Sequence, residues 1–293
     1  MKTQFAVPEV IRPGLDWEKT ETFLKSIFVP PPASAFAALQ EELSGECLNN
    51  ETITAVLGNE QAVTTELIDV LNAPVFGLPD KVGNIQDAIE LLGKTHVANI
   101  ANAISLKQAM CGTDYPEMFG YFGSADDCAL AAAGIARELG IMAPDQAYCL
   151  GLLHDCGIPV LLQAIPNYTE VLQLAYISSA YTLTECEDHN LNINHAVVAY
   201  YICKTWGMSE NIGLAILNHH NVENVLLSGQ QHKGELQAMV ALLTMAEYIS
   251  CAWHGKAGKT NWAEDSSHVL DYLGLNEADF DNIKTNMFAK FAA

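Results

Sequence analysis

Apolar residues recur along this chain at the three- and four-residue spacing of helices. Phe36, Leu39 and Leu43 form one stripe. Ile53, Val56 and Leu57 form a second, with Asn50 placed to cap it, and Val63, Leu67, Val70 and Leu71 form a third. Asn84 precedes Ile85, Asp87 follows near the third helical position, and Gly93 closes the segment, a capping pattern at both ends. His96–Met110 is a further amphipathic stretch. Longer helices are predicted over 117–140, 144–156, 158–175, 192–206, 209–220, 235–254 and 276–290. No run alternates apolar and polar over six residues with β-branched enrichment, and Asn-Gly and Asp-Gly turns are absent. The pattern predicts an all-α protein.

Two Pro/Gly breaks, Pro30–Pro32 and Asn72–Pro79, divide the first part into short helices. Gly112–Pro116 marks a seam. Residues 1–115 are read as a multi-helix N-terminal module, packed on a helical bundle with a C-terminal helix over 116–293. The Pro30–Pro32 and Ala73–Pro79 loops are expected to present backbone and apolar groups to another protein.

Composition narrows the function classes. The 293 residues are 50 % apolar, enough for a substantial core, and the formal charge of −21 disfavours nucleic acid and anionic membrane surfaces as partners. Only 17 % of residues are charged, which argues against disorder. No stretch reaches about 18 consecutive apolar residues, and Met1–Gly14 lacks a basic-then-apolar leader pattern. Eight scattered cysteines with no C-x-x-C pair read as reduced thiols, so the chain is expected in the cytoplasm.

The informative residues are polar ones in apolar surroundings. In Ala147–Leu162, His154 and Asp155 are the only strongly polar side chains. Burying an unpaired carboxylate costs several kcal/mol, on the order of 2–7 for a polar group and more for a charge, so Asp155 needs a cation, strong donors or a metal. The same residues also read as an ordinary helix end, with Gly157 at C′ and His154 favouring the dipole's negative end. His195 opens a helix after Asn194. A cation is disfavoured there, so a neutral, metal-competent imidazole is expected. His219-His220 ends the next helix and by itself is unremarkable. Glu247 interrupts the apolar run Ala238–Cys251 and needs a partner unless it lies on a narrow polar stripe. Imidazole plus carboxylate suits Fe, Mn, Zn or Ni as a divalent ion. His96, His189, His232, His254 and His268 sit in polar contexts and are read as surface residues.

The order of several short stretches resembles the HD superfamily of metal-dependent phosphohydrolases, and more closely its HDOD branch. They are Val29–Ala33, Leu71–Leu78, Ile85–Gly93, Gly151-Leu152-Leu153-His154-Asp155, His195, Trp206-Gly207-Met208 and Ala215–His220. The resemblance implies a helical bacterial signalling module, generally non-catalytic, with protein partners. It places His154 and Asp155 on the namesake pair, Asp155 bridging metals. His195, His219 and His220 fall on the later histidines of the related HD-GYP branch, and Glu247 where the superfamily usually has Asp. One or two divalent ions would then bind His154, Asp155, His195, His219, His220 and Glu247. Three positions depart from the pattern. Ser124 stands where the first metal-binding His should open a helix, Gly120 replaces a Glu found in some HD-GYP enzymes, and no Gly-Tyr-Pro follows His220. Between Pro116 and Trp253 the only basic residues are Arg137, Lys204 and Lys233, few anchors for a phosphate. The expected function is therefore regulatory. The alternative is a phosphohydrolase acting on nucleotides or cyclic dinucleotides, in which Asp155 would be catalytic. A third reading has His154 and Asp155 hydrogen-bonded to backbone with no ion.

Overall fold

The computed structural model describes residues 16–32, 36, 49–111, 117–177, 182–227, 234–257 and 260–293. Among these residues there are helices and no strand, so the fold is all-α. The N-terminal part holds α1 (Trp17–Ser26), α2 (Asn50–Asn59), α3 (Gln61–Leu71), α4 (Ile85–Leu92) and α5 (Lys94–Cys111). Then follow α6 (Glu117–Leu139), α7 (Pro144–Leu153), α8 (Gly157–Ala164), α9 (Tyr168–Ile177), α10 (Leu183–Leu191) and α11 (His195–Thr205). The chain continues through α12 (Glu210–Asn218), α13 (Val222–Leu227), α14 (Gly234–Trp253), α15 (Trp262–Leu273) and α16 (Glu277–Phe291).

Local chemistry sets most of these ends. Asn84 Oδ1 accepts from the Asp87 amide at 3.0 Å, and Asp87 Oδ2 accepts from the Gly83 amide at 3.0 Å, so the α4 cap closes as the sequence indicates. The α2 cap is Asn49, one residue before the expected Asn50; its side chain accepts from the Glu51 amide. The predicted helix over 158–175 is two helices. Pro166 cannot continue α8, and Ile165 before it takes an extended conformation (φ −121°, ψ 108°). Most of the Phe36–Leu43 stripe and the Gly112–Pro116 seam lie outside the described residues, although Phe36 itself is buried.

α5 is buried on most of its faces and packs against α3 and α7, while α6 packs against both α7 and α14. The α6–α7 crossing is a backbone contact. A Cβ on Gly151 would lie 2.7 Å from Ala129 Cα and 2.8 Å from Cys128 O. α11 lies between α8 and α12, and α12 reaches α14. The ends of α7, α11 and α12 and the C-terminal half of α14 thereby meet at one place.

Two features bear on the sequence reading of these loops. In the Ala73–Pro79 loop Val75 and Phe76 are buried, so their apolar side chains enter the core and are not offered to a partner. The Pro30 carbonyl accepts from Trp206 Nε1 at 2.8 Å, which fastens the proline run to the bundle, and Phe28 beside it is exposed. Pro144–Ala164 and Gly234–Trp253 are long and apolar enough to cross a membrane, but 78 % and 56 % of their apolar windows are buried. Their composition reflects a core position. None of the described cysteines forms a disulfide.

Candidate metal centre

His154 caps the C-terminal end of α7, and Asp155 follows in the turn before α8. Gly157 is not a left-handed C′ residue; it is the first residue of α8. Its role is close approach, since a Cβ there would lie 2.0 Å from His195 O and 3.0 Å from Ala199 N. That contact sets the α7–α8 turn directly against the first turn of α11, which His195 opens under the Asn194 cap. His219 caps α12, with His220 next to it. Glu247 stands on α14.

The structure brings all six sequence-predicted residues together. Asp155 Oδ2 lies 3.2 Å from His154 Nε2, and its Oδ1 lies 3.3 Å from His195 Nε2 and 3.4 Å from His219 Nε2. His154 Nε2 is also 3.5 Å from Glu247 Oε1, and His195 Nε2 is 2.9 Å from His220 Nε2. The far ring nitrogens face acceptors. His154 Nδ1 donates to Gly151 O at 2.8 Å, His219 Nδ1 to Ile216 O at 2.6 Å, and His195 Nδ1 to Glu187 Oε2 at 2.7 Å. Such acceptors place the proton on Nδ1 and turn each Nε2 toward Asp155. His154, His195 and His219 are buried; Asp155, Glu247 and His220 are partly open to solvent.

The electrostatics demand positive charge. Burial works against ionised Asp155, but the charge and hydrogen bond of His154, with the imidazoles of His195 and His219 close beside it, hold it well below the usual carboxylate range. Burial likewise opposes the His154 cation, yet Asp155 raises its pKa well above the ordinary value. For His195 burial is again outweighed, first by the charge of Glu187 and then by hydrogen bonds to Asp155 and Glu187, and the pKa is pushed up to about 10. Two carboxylates beside the ring overcome the unfavourable helix terminus.

A divalent ion fits this donor set. His219 Nε2 is buried, makes no hydrogen bond and is aimed into the cluster, 3.4 Å from Asp155 Oδ1. Two overlapping groups have ligand atoms within 4.8 Å of one another: Asp155 with His195, His219 and His220, and Asp155 with His154 and Glu247. Ser124 is exposed on α6, one turn before the buried Cys128, and contributes no imidazole to the second group. Among the histidines read as surface residues, His96 pairs with Asp145 at 2.7 Å and His254 with Asp127 at 2.6 Å, outside the cluster, and His232 lies outside the described residues.

Sequence reasoning missed Glu187 and Tyr168. Both are fully buried, and Tyr168 donates its hydroxyl to Glu187 Oε1 while Glu187 Oε2 receives His195 Nδ1 and, at 3.2 Å, the His195 amide. Glu187 sits in the polar run Thr184–Asn190, where no apolar background marks it out.

A helical bundle with clustered His and Asp at converging helix ends defines an HD-type fold. The HDOD domain profile matches residues 29–222, and the chain belongs to the HDOD family. Among solved structures, an HDOD domain protein of unknown function from Geobacter sulfurreducens superimposes with a TM-score of 0.68 at 18 % identity, over 94 % of this chain and 96 % of its own. A proposed phosphohydrolase from Shewanella amazonensis gives a TM-score of 0.68 at 16 % identity, over 91 % of this chain and 92 % of its own. An uncharacterized Treponema pallidum protein is 22 % identical over 201 residues, 66 % of this chain and 38 % of that protein. The chain spans less than half the length of the curated relatives it matches.

Proposed function

We propose that this chain is a bacterial signal-transduction module of HDOD type that holds a divalent ion in its His/Asp cluster and does not hydrolyse phosphate esters. One observation carries the reading: two of the partly exposed residues of the cluster, Asp155 and Glu247, are carboxylates. Burial raises the pKa of Asp265 to about 6, with the charges of Glu264, Glu247 and Glu223 adding to the effect. Glu247 lies beside His154, so a phosphate approaching this side meets several carboxylates. Among the described residues, two basic side chains that could offset them are engaged elsewhere. Arg137 reaches Gly77 O at 3.4 Å and Lys204 lies over the Tyr200 ring. Phosphoryl transfer needs cations on the transferring group in addition to the metal.

A bound ion would supply Lewis acidity and a water of lowered pKa. His154, His195, His219, His220, Asp155 and Glu247 are the residues able to hold it, and Asp155 also orients three imidazoles. The alternative reading, a phosphohydrolase with Asp155 in the catalytic site, draws on the two ligand groups sharing Asp155 and on their partial exposure. The two readings divide in an assay of nucleotides and cyclic dinucleotides with protein loaded with Mn²⁺ or Fe²⁺. Turnover that disappears in Asp155→Asn would favour the enzyme. We further propose signalling proteins as partners, the exposed Phe28 beside the fastened proline run as a contact residue, a division of the chain near residue 115, and a cytoplasmic location. Pull-down with Phe28→Ser tests the contact, and unchanged capture would count against it.

A further inference from the structure

The cluster's two halves are not equivalent, and the difference lies in buried residues that sequence patterns leave unmarked. We infer that a single ion belongs in the half formed by His195, His219, His220 and Asp155, and that Glu187, held by Tyr168, is the positioning residue that readies His195 to receive it. The inference rests on the metal-binding reading above and extends it to stoichiometry and to residues outside the ligand set.

The argument begins with ligand count. The first half offers three imidazoles and one carboxylate with all four ligand atoms within 4.8 Å, a complete set for a four-coordinate late first-row ion. The second offers one imidazole and two carboxylates, of which Asp155 is shared. Ser124, exposed on α6, adds no fourth ligand there.

The surrounding shell points the same way. A ligating imidazole is oriented and made more basic when its other nitrogen donates to a carboxylate. Among the described residues, His195 has a fully buried carboxylate, Glu187, behind it. Glu187 is fully buried, and its Oε2 accepts both from His195 Nδ1 at 2.7 Å and from the His195 amide at 3.2 Å. Two bonds to one residue fix the ring and the helix start together. Tyr168, also fully buried, donates to the other carboxylate oxygen and removes its freedom to rotate. His154 has only the Gly151 carbonyl behind its Nδ1. His219 Nε2, the buried nitrogen without a hydrogen bond, belongs to the half that Glu187 supports.

The test uses the full chain, stripped with chelator and titrated with Zn²⁺ by calorimetry and with Co²⁺ by visible absorption. Wild type should bind one equivalent of Zn²⁺, and Co²⁺ should give the intense bands of a four-coordinate site. Glu187→Gln keeps the shape and loses the charge, and should raise the Zn²⁺ Kd roughly 10- to 100-fold. Tyr168→Phe should raise it in the same direction by less. Melting of the metal-stripped variants separates positioning from folding. The Kd increase should occur with the stripped Glu187→Gln Tm within a few degrees of wild type, and the Co²⁺ bands should shift in the variant. Two equivalents in wild type, or wild-type affinity and bands in Glu187→Gln, would overturn the inference while leaving the metal-binding reading intact. No Zn²⁺ bound by wild type would overturn both.

Discussion

Gly157→Ala separates two physical arguments by the sign of its effect. Gly157 is the first residue of a helix, and replacing a helical glycine with alanine ordinarily stabilises by about 0.5–1 kcal/mol. Here the new Cβ would lie 2.0 Å from His195 O and 2.9 Å from His195 C. Carbon and oxygen pack no closer than about 3 Å, so the α8 start and the first turn of α11 must separate by roughly 1 Å. Both obstacles are backbone, so no side-chain rotation relieves the clash. Overpacking of this kind costs about 1–3 kcal/mol, and a backbone obstacle in a close-packed bundle belongs at the upper end. At about 2–4 °C per kcal/mol for a chain of this size class, the Tm should fall by roughly 5–10 °C. The displaced atom is the carbonyl of His195 itself, and Asp155 is two residues from the substitution. Zn²⁺ affinity should therefore weaken as well. Thermal unfolding followed by helical circular dichroism, with Zn²⁺ titration of the same sample, reads both effects. An unchanged or higher Tm with wild-type affinity would refute the claim that glycine is required for this approach.

Asp155→Asn should lower stability by about 2 kcal/mol, because it leaves buried His154, His195 and His219 without their shared anion; a Tm at or above the wild-type value would speak against that network. Ser124→His places an imidazole one turn before Cys128, and elemental analysis should show more than one equivalent of ion per chain, whereas unchanged stoichiometry would mean the side chain does not reach the second half. Asp265 has its pKa raised by burial, then by Glu264 and Glu247, from 3.8 to about 6. The folded state therefore binds the extra proton between these values, and stability falls as pH rises through that window. Asp265→Asn should match wild type below about pH 4 and exceed it above about pH 6, by no more than ~1 kcal/mol because the group is about half exposed and solvent screens it. A constant offset across that range would contradict the assigned cause.

His154 and Asp155 were legible because an apolar helix gives a carboxylate no ordinary place. The burial that makes Ala147–Leu162 uniformly apolar is the same burial that requires Asp155 to find imidazoles. The Asn84 cap was legible for the opposite reason, since it is settled by residues three apart. Glu187 was not legible. It reaches the site by the path of the chain through α10 into α11, and its neighbours in sequence are polar for reasons of their own. The electrostatics of His195 depend on the same hidden carboxylate, which an argument from the helix terminus alone leaves out. The inward turn of Val75 and Phe76 and the break at Pro166 show the same limit at smaller scale. Proline and glycine mark where a helix stops without showing which way the following side chains face.

The measurement that tests the account most directly is phosphate-ester hydrolysis by the full chain loaded with Mn²⁺ or Fe²⁺, using nucleotides and cyclic dinucleotides beside the Asp155→Asn variant. The predicted result is bound metal in the wild type with no turnover above that of Asp155→Asn. Metal-dependent turnover in the wild type that disappears in the variant would contradict the regulatory reading and establish the cluster as an active site.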